Sequence, residues 1–510
     1  MMQDRRPDGR VLWICLLPAL IVSIFHVTIT SPLVDLFHEG EYLAPRLLVD
    51  SGTPPLLIHG FMDYVPAQLA AWIFGNDHVI AGCRLINLVL VFFGTVAFIG
   101  MVFEISKDTN FRSVSLLLGA LIVTYYDGSL PNALTIQQGS PGLRDTFLLL
   151  EMALITLSLS RTRRARDLFS FSAGFVGALG LFWCYNRGVI GILLILILSI
   201  ANRIKTDSWT TTSIPIGGCA VGLFVYALVN HHWISEVENI IYWYQNESIW
   251  NYAAPSVSTY EWYASIIFPT VAIVASLIVT IAHRTKAKSN GITIAIMLML
   301  ISAVVLEQQV HRNDFPHQMF IRPWLYLMVL QVFTLAASAY PTLKLSLTLE
   351  WSTLALVAIV SIIECARPAA TPTTPGSHLF ETLQGAFTGL PSDSSLLPLE
   401  TQRIVKALQR QSPRCTYVLN NGGALYGASG LKPCSSIFLP VYASKESQYR
   451  VMSDLRESHP KIIVGFSKSW WSSMDGKPLS QRTPELSSWL SSHYGRRFYV
   501  GSTELRIRSF

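Results

Sequence analysis

The sequence predicts a polytopic α-helical membrane protein of about 11 transmembrane helices carrying a small C-terminal α/β soluble domain. Three observations support this. Hydrophobic residues make up 51% of the 510 residues and charged residues only 14%, where an average soluble domain has roughly 25% charged. The apolar residues gather in runs of about 17 to 25, the length a helix needs to cross a bilayer. The basic residues, behind a formal net charge of +6, fall in short clusters between those runs. A nucleic-acid-binding surface would need a continuous basic stripe, so that class of partner is excluded and the clusters are read as topology signals.

The first element follows MMQDRRPDGR. Val11 to Thr30 is apolar and has the charge layout of a signal peptide, but it is long and lacks a small-x-small cleavage site, so it is expected to stay as the first helix. Further spans are expected at 79–103, 113–126, 144–160, 168–184, 188–202, 211–230, 262–282, 291–308, 320–340 and 345–364. With the N-terminus inside, the cytoplasmic segments collect Arg5, Arg6 and Arg10, then Lys107 and Arg112, then the Arg161 to Arg166 cluster, then Arg203 and Lys205, then Arg284 to Lys288, then Lys344. The opposite loops, 31–78, 127–143, 231–261 and 309–319, are longer, aromatic and acidic. An odd number of spans exports the C-terminus.

The membrane part is expected over 1–365, with 31–78 as its first external loop, a Pro/Ser/Thr-rich linker over 366–397 and an exported α/β domain over 398–510. In that domain TYVLN, SSIFLPV, KIIVGF and RRFYV read as strands, and Leu399–Gln411, Ser444–Glu457 and Pro484–His493 as amphipathic helices. It has no P-loop and no GxSxG, and is read as a noncatalytic cap. Of seven cysteines only Cys415 and Cys434 lie in polar sequence, and in an oxidising compartment they are expected to pair.

Chemistry is expected in three places. Directly after the first span, DLFHEGEYL sets Asp35 and Glu39 four residues apart, on one face of any helix formed there, where either carboxylate could act as a general base. After Pro54 and Pro55, a stretch interrupted by His59, Asp63 and Pro66 is too short to cross the bilayer and fits a helix lying in its interface. Late in the chain, EQQVHRNDFPH crowds Glu307, His311, Arg312, Asp314 and His317 between two spans, fitting a hydrated cavity or an anion site, with Arg312 and Arg322 able to neutralise phosphate. Arg187 breaks an apolar run and points toward the same cavity. Glu151 falls inside a span and must be paired, protonated or near the interface, Arg144 or Arg84 being the candidate partners. His38, His59, His311 and His317 have no metal-ligand spacing such as HExxH, so no metal or other cofactor is expected.

The acidic motif after the first helix, Asp35 with His38-Glu39-Gly40-Glu41, resembles that of the GT-C membrane glycosyltransferases. The resemblance extends to Ile58-His59-Gly60, to Arg312-Asn313-Asp314 with His317, and to NNGGALYGASGLKP in the exported domain. It implies an inverting transferase that moves a sugar from a polyprenyl-phosphate donor to a glycan, lipid or protein acceptor on the non-cytoplasmic face, in a bacterial inner membrane. Protein O-mannosyltransferases and aminoarabinose transferases are such enzymes, and uncharacterised bacterial members with the HEG motif are closer in pattern. The implied base is Glu39 or Asp35. Substrate contacts are implied for His38, Glu41, His59, Arg187, Arg312, Asp314, His317 and Arg322. The alternatives are a polysaccharide polymerase or ligase and a transporter or flippase of lipid-linked glycans. The first commonly keeps its chemistry in a large loop between late spans, and the second uses repeated halves, which this sequence lacks.

Overall fold

A computed structural model describes residues 34–107, 141–229, 233–246, 266–285, 289–310, 321–339, 389–411, 414–469, 472–473 and 478–509, with isolated positions between 109 and 119. The helices of the membrane part are α1 (Gly40–Asp50), α2 (Val65–Phe74), α3 (Val79–Ser106), α4 (Pro141–Ser160), α5 (Arg163–Trp183), α6 (Tyr185–Thr206), α7 (Trp209–Val229), α8 (Trp233–Asn246), α9 (Phe268–His283), α10 (Ser289–Val310) and α11 (Arg322–Ala339). Four helical stretches among the described residues, 76–106, 185–206, 209–228 and 289–307, are long and apolar enough to cross a membrane. Helix α4 has the length but carries Arg144, Asp145 and Glu151. The expected spans at 11–30 and 345–364, and most of 113–126, lie outside the described residues.

Small residues set the closest helix contacts. A Cβ on Gly174 of α5 would stand 1.9 Å from the Pro215 carbonyl oxygen of α7, and one on Gly218 would stand 2.0 Å from the Phe171 carbonyl oxygen. Backbones approach this closely in a membrane bundle because dispersion, rather than the hydrophobic effect, holds the helices together there. Beside them, a Cβ on Gly177 or Gly191 would meet the Glu151 carboxyl. Glu151 is buried in this glycine notch and its Oε1 has no hydrogen-bond partner. Arg84, one of its expected partners, is paired with Glu39 instead.

Helix α2 fits the expected interfacial segment. Leu69, Ile73 and Trp72, the last 83% exposed, leave one side apolar and open. The expected loop at 231–261 contains α8, whose amphipathic pattern the sequence reading passed over.

The C-terminal part comprises α12 (Leu399–Gln411), α13 (Ala424–Ser429), α14 (Lys445–Ser458), α15 (Leu479–Arg482) and α16 (Pro484–His493), with β1 (Cys415–Thr416), β2 (Lys432–Pro433), β3 (Ile462–Val464), β4 (Arg496–Val500) and β5 (Thr503–Ile507). Strands β1 and β2 pair in parallel, and the antiparallel sheet runs β3-β5-β4, with Val418 bridging to Val464. Helix α12 buries Thr401, Ile404, Val405 and Leu408, the i, i+3, i+4, i+7 stripe of an amphipathic helix. Ser444 caps α14 by accepting from the Ser447 N–H. The expected strand SSIFLPV does not form. The Ser435 hydroxyl accepts from the Ile437 N–H, and Pro440, which has no N–H to donate, opens a short 3₁₀ turn. Strand β5, paired with β4 in a hairpin through Gly501, takes the sheet position instead.

Cys415 and Cys434 form a disulfide that closes a loop of sequence separation 19 at the β1–β2 edge. By the loop-entropy account a cross-link of that span contributes about 3 kcal/mol. Replacing both cysteines by serine is expected to lower the unfolding temperature of the C-terminal part, which differential scanning fluorimetry of the purified full chain reports.

Candidate functional site

The first external loop lies between the helix bundle and the C-terminal domain, and each side fixes a different part of it. Asp35 opens a turn that leads into α1. Its Oδ1 accepts from the backbone N–H groups of Phe37 at 3.0 Å and His38 at 3.1 Å, and its Oδ2 meets His38 Nδ1 at 2.8 Å. The side chain of Asp35 is 21% exposed and that of His38 25%. Burial raises the Asp35 pKa, but the His38 ring, together with these hydrogen bonds, outweighs burial and leaves the carboxyl below its ordinary value. The carboxylate is therefore ionised at neutral pH, oriented on three sides and still open to water.

Glu39, one turn on, is fully buried. Arg84 Nε donates to its Oε1 at 2.7 Å and Arg84 Nη2 to its Oε2 at 3.0 Å, a two-point guanidinium–carboxylate pair. The Tyr42 hydroxyl also donates to Oε1 at 2.9 Å, and the Asp35 N–H to Oε2 at 2.8 Å. Glu39 thus ties the Asp35 turn to α3. Glu41 is buried in the same segment.

The C-terminal part closes the other side. A Cβ on Gly40 would lie 2.4 Å from the Ala424 nitrogen and 2.5 Å from Gly423 Cα, so backbone meets backbone and only glycine fits. The Ala424 N–H donates to the Leu36 carbonyl at 2.9 Å, Val34 N–H to Leu396 at 3.1 Å, and Leu56 N–H to Ser436 at 2.9 Å. One apolar core runs through both parts, from Phe37, Tyr42 and Leu43 to Tyr417, Leu425 and Phe438. The NNGG segment that the sequence marked for its resemblance is the portion of the C-terminal part seated on the acidic turn.

Asp393, within the expected linker, also docks. Its Oδ1 accepts from the Ile80 N–H at 2.9 Å, at the start of α3. Burial raises its pKa to about 6, against the opposing effect of the Ile80 and Val79 N–H groups and His78, while Glu39 adds to the rise. A raised carboxyl pKa means that the docked form prefers the proton, so docking weakens as pH climbs from about 4 through about 6. Asp393→Asn keeps an N-terminal cap without the charge. It is expected to flatten the pH dependence of thermal stability between pH 4 and 7, measured by scanning fluorimetry against wild type.

A second group lies where α4, α6 and α11 begin. Arg187 Nε and Asp145 Oδ1 form a buried ion pair, and the Trp324 indole N–H donates to Asp145 Oδ2 at 3.0 Å. Arg144 adjoins Asp145, and the fields of Arg144 and Arg187 both reach Cys184. Arg322 begins α11 two residues before Trp324 and is half-buried. Arg187 therefore pairs with Asp145, with Arg144 next to that aspartate in sequence and Arg322 at the start of α11.

The two groups share an end of the bundle. Thr146 of α4 donates to the Leu90 carbonyl of α3 at 3.3 Å, and Leu90 lies about 9 Å along the helix axis from Arg84. His59 joins them: its carbonyl accepts from the Tyr185 N–H at 2.8 Å, and its ring approaches Asp63 at 3.2 Å. Gly60, at φ +142°, sits where a Cβ would be 2.5 Å from the Phe182 carbonyl oxygen. The acidic turn of Asp35, His38, Glu39 and Glu41 is thus connected through α3 and α4 to the Arg187–Asp145 pair, and His59 to the start of α6; Arg322 begins α11. Arg312, Asp314 and His317 lie outside the described residues. Among the described residues, no three His, Cys, Asp or Glu side chains converge as metal ligands.

Sequence reasoning missed Tyr42, Asp145 and Trp324, and it offered Arg84 to Glu151 where the structure pairs it with Glu39. The signal was that an arginine inside an apolar span demands a carboxylate partner, but it does not say which one.

No family model and no curated protein matches the chain. Among solved structures it is similar to ArnT from Cupriavidus metallidurans bound to undecaprenyl phosphate, at TM-score 0.43 and 14% identity over 89% of this chain and 78% of that one. It is also similar to the Archaeoglobus fulgidus oligosaccharyltransferase. With a tethered acceptor peptide, that structure gives TM-score 0.47 and 8% identity over 98% of this chain and 74% of that one. In complex with Zn and sulfate it gives 0.47 and 9%, over 96% and 73%. Both neighbours are GT-C glycosyltransferases.

Proposed function

We propose that this chain is an inverting membrane glycosyltransferase, moving a sugar from a polyprenyl-phosphate donor to an acceptor on the non-cytoplasmic face. The observation that supports it most is the pairing of an ionised, oriented and water-accessible carboxylate, Asp35, with a recessed arginine group at the same end of the bundle. A phosphate-linked donor needs both: a base for the incoming hydroxyl, and positive charge for the leaving phosphate.

In this reading Asp35 takes the proton from the acceptor hydroxyl as that oxygen attacks the anomeric carbon. The bond from the anomeric carbon to the phosphate oxygen breaks on the opposite side, and its electron pair leaves with the polyprenyl phosphate. Arg187 and Arg322, with Arg312 assigned on its residue type alone, stabilise that negative charge. Attack opposite the leaving group inverts the anomeric configuration. His38 holds the Asp35 carboxylate in place. Glu39 positions the turn through Arg84, because its oxygens already carry four hydrogen bonds and no water reaches it. Glu41 and His59 are assigned to substrate contact, and Asp314 and His317 are assigned there on their residue types alone.

The topology follows from the same reading. A reporter fused after Phe510 is expected to be active only outside the cytoplasm. A cytoplasmic signal would separate the exported domain from the loop it covers and contradict the proposal. The reaction itself is tested by following loss of a polyprenyl-phosphate sugar in vesicles containing the purified protein.

A further inference from the structure

A cavity of ≈ 190 Å³ opens at the other end of α1 from Asp35, between the first external loop and α8. It is walled by Pro54, Pro55, Phe61 and Tyr64, with Thr53 at its rim and Glu236 as its one charged lining residue. Glu236 is 6% exposed, and both its oxygens are oriented by phenols: the Tyr64 hydroxyl donates to Oε1 at 2.9 Å and the Tyr185 hydroxyl to Oε2 at 2.5 Å. Asn239 fixes this arrangement by donating to the Tyr185 oxygen at 3.0 Å and accepting from the Leu57 N–H at 3.0 Å. The carboxylate is thus built into the fold and not a mobile surface charge.

We propose that this cavity binds a single neutral or amino-bearing sugar ring. Three features support that class of ligand. The volume lies below the roughly 300–1,000 Å³ of pockets that take a whole drug-sized ligand, so it suits one ring. The Phe61 and Tyr64 rings, 5.3 Å apart and edge-on, offer the apolar face that the C–H side of a sugar covers, while the Glu236 carboxylate accepts from a hydroxyl or an ammonium. A buried carboxylate repels anions, so the cavity rejects the phosphate that the arginine group attracts. The two sites are therefore complementary in charge. The cavity is set apart from Asp35 by the length of α1, 11 residues or about 16 Å, which places it beyond the ring whose hydroxyl Asp35 would activate. Assigning the ring to the glycan acceptor rests on the transferase reading above; the binding itself does not.

The experiment is saturation-transfer NMR on the full chain in detergent with four probes: methyl glucoside, methyl glucosaminide, methyl glucuronide and glucose 1-phosphate. Wild type is expected to bind at least one of the first two and neither of the last two. Thr53→Trp, which fills the cavity from its half-exposed rim without touching the Glu236 network, and Glu236→Gln are each expected to weaken that binding at least tenfold. Asp35→Asn is expected to bind as wild type does. Absence of glycoside binding to wild type, equal binding of the acidic probes, or undiminished binding to Thr53→Trp would each overturn the proposal. Glycoside binding that is lost in Thr53→Trp, in a protein whose Asp35→Asn variant still transfers sugar, would leave this site standing and remove the Asp35 reading alone.

Discussion

Asp35→Asn is expected to reduce sugar transfer by about 100- to 10,000-fold, the usual consequence of removing a general base, while donor binding survives. The amide keeps the size of the side chain and an oxygen that can accept from the Phe37 and His38 N–H groups, so the turn should hold. It cannot take a proton. Because His38 and the two N–H groups hold the Asp35 pKa below its ordinary value, wild type should show no loss of activity from this group until the pH falls below the usual carboxylate range. Arg187→Gln should differ in kind. It removes charge from the leaving-group side, so it is expected to weaken donor binding or slow phosphate departure, and steady-state kinetics with varied donor separate the two.

The second large effect concerns stability. Arg84→Ala leaves the Glu39 carboxylate buried without its two-point partner, which typically costs about 3–5 kcal/mol. The same cost should appear in Glu39→Ala, through the stranded guanidinium, and much of it should vanish in the double variant. A double-mutant cycle on thermal unfolding measures this directly. The cycle also separates roles: if Glu39 positions the turn, Glu39→Gln should lose activity in step with stability, and conditions that restore folding should restore rate. A Glu39→Gln variant as stable as wild type but inactive would return the base role to Glu39.

The helices were legible because their apolar runs are as long as a bilayer is thick. The expected 188–202, 211–230 and 291–308 became Tyr185–Thr206, Trp209–Val229 and Ser289–Val310. Helices α12 and α16 were legible to the residue from their polar–apolar period and, for α16, from Pro484 at its first position. The acidic turn was located but not resolved. A spacing of four puts Asp35 and Glu39 on one face, yet it does not say that Arg84, 45 positions away, takes one of them inward. Long-range ion pairs leave no local period, and so Glu151 was given Arg84 as a candidate partner. Segment 435–441 was read as a strand from its apolar content, although the serine turn before it and Pro440 within it favour an irregular path. The seating of the C-terminal part on the loop was also out of reach, since a glycine required for backbone contact, such as Gly40 or Gly423, looks in sequence like any turn glycine.

The central claim is that an open carboxylate on the first loop activates an acceptor against a phosphate-linked sugar. The direct measurement is release of polyprenyl phosphate from a panel of polyprenyl-phosphate sugars, in vesicles containing wild type or Asp35→Asn. The account predicts that wild type consumes at least one member of the panel, passing the sugar to acceptor with inverted configuration, and that Asp35→Asn consumes it at least 100-fold more slowly, as expected for loss of a general base. Intact donors with wild type, or equal consumption by both proteins, would contradict it.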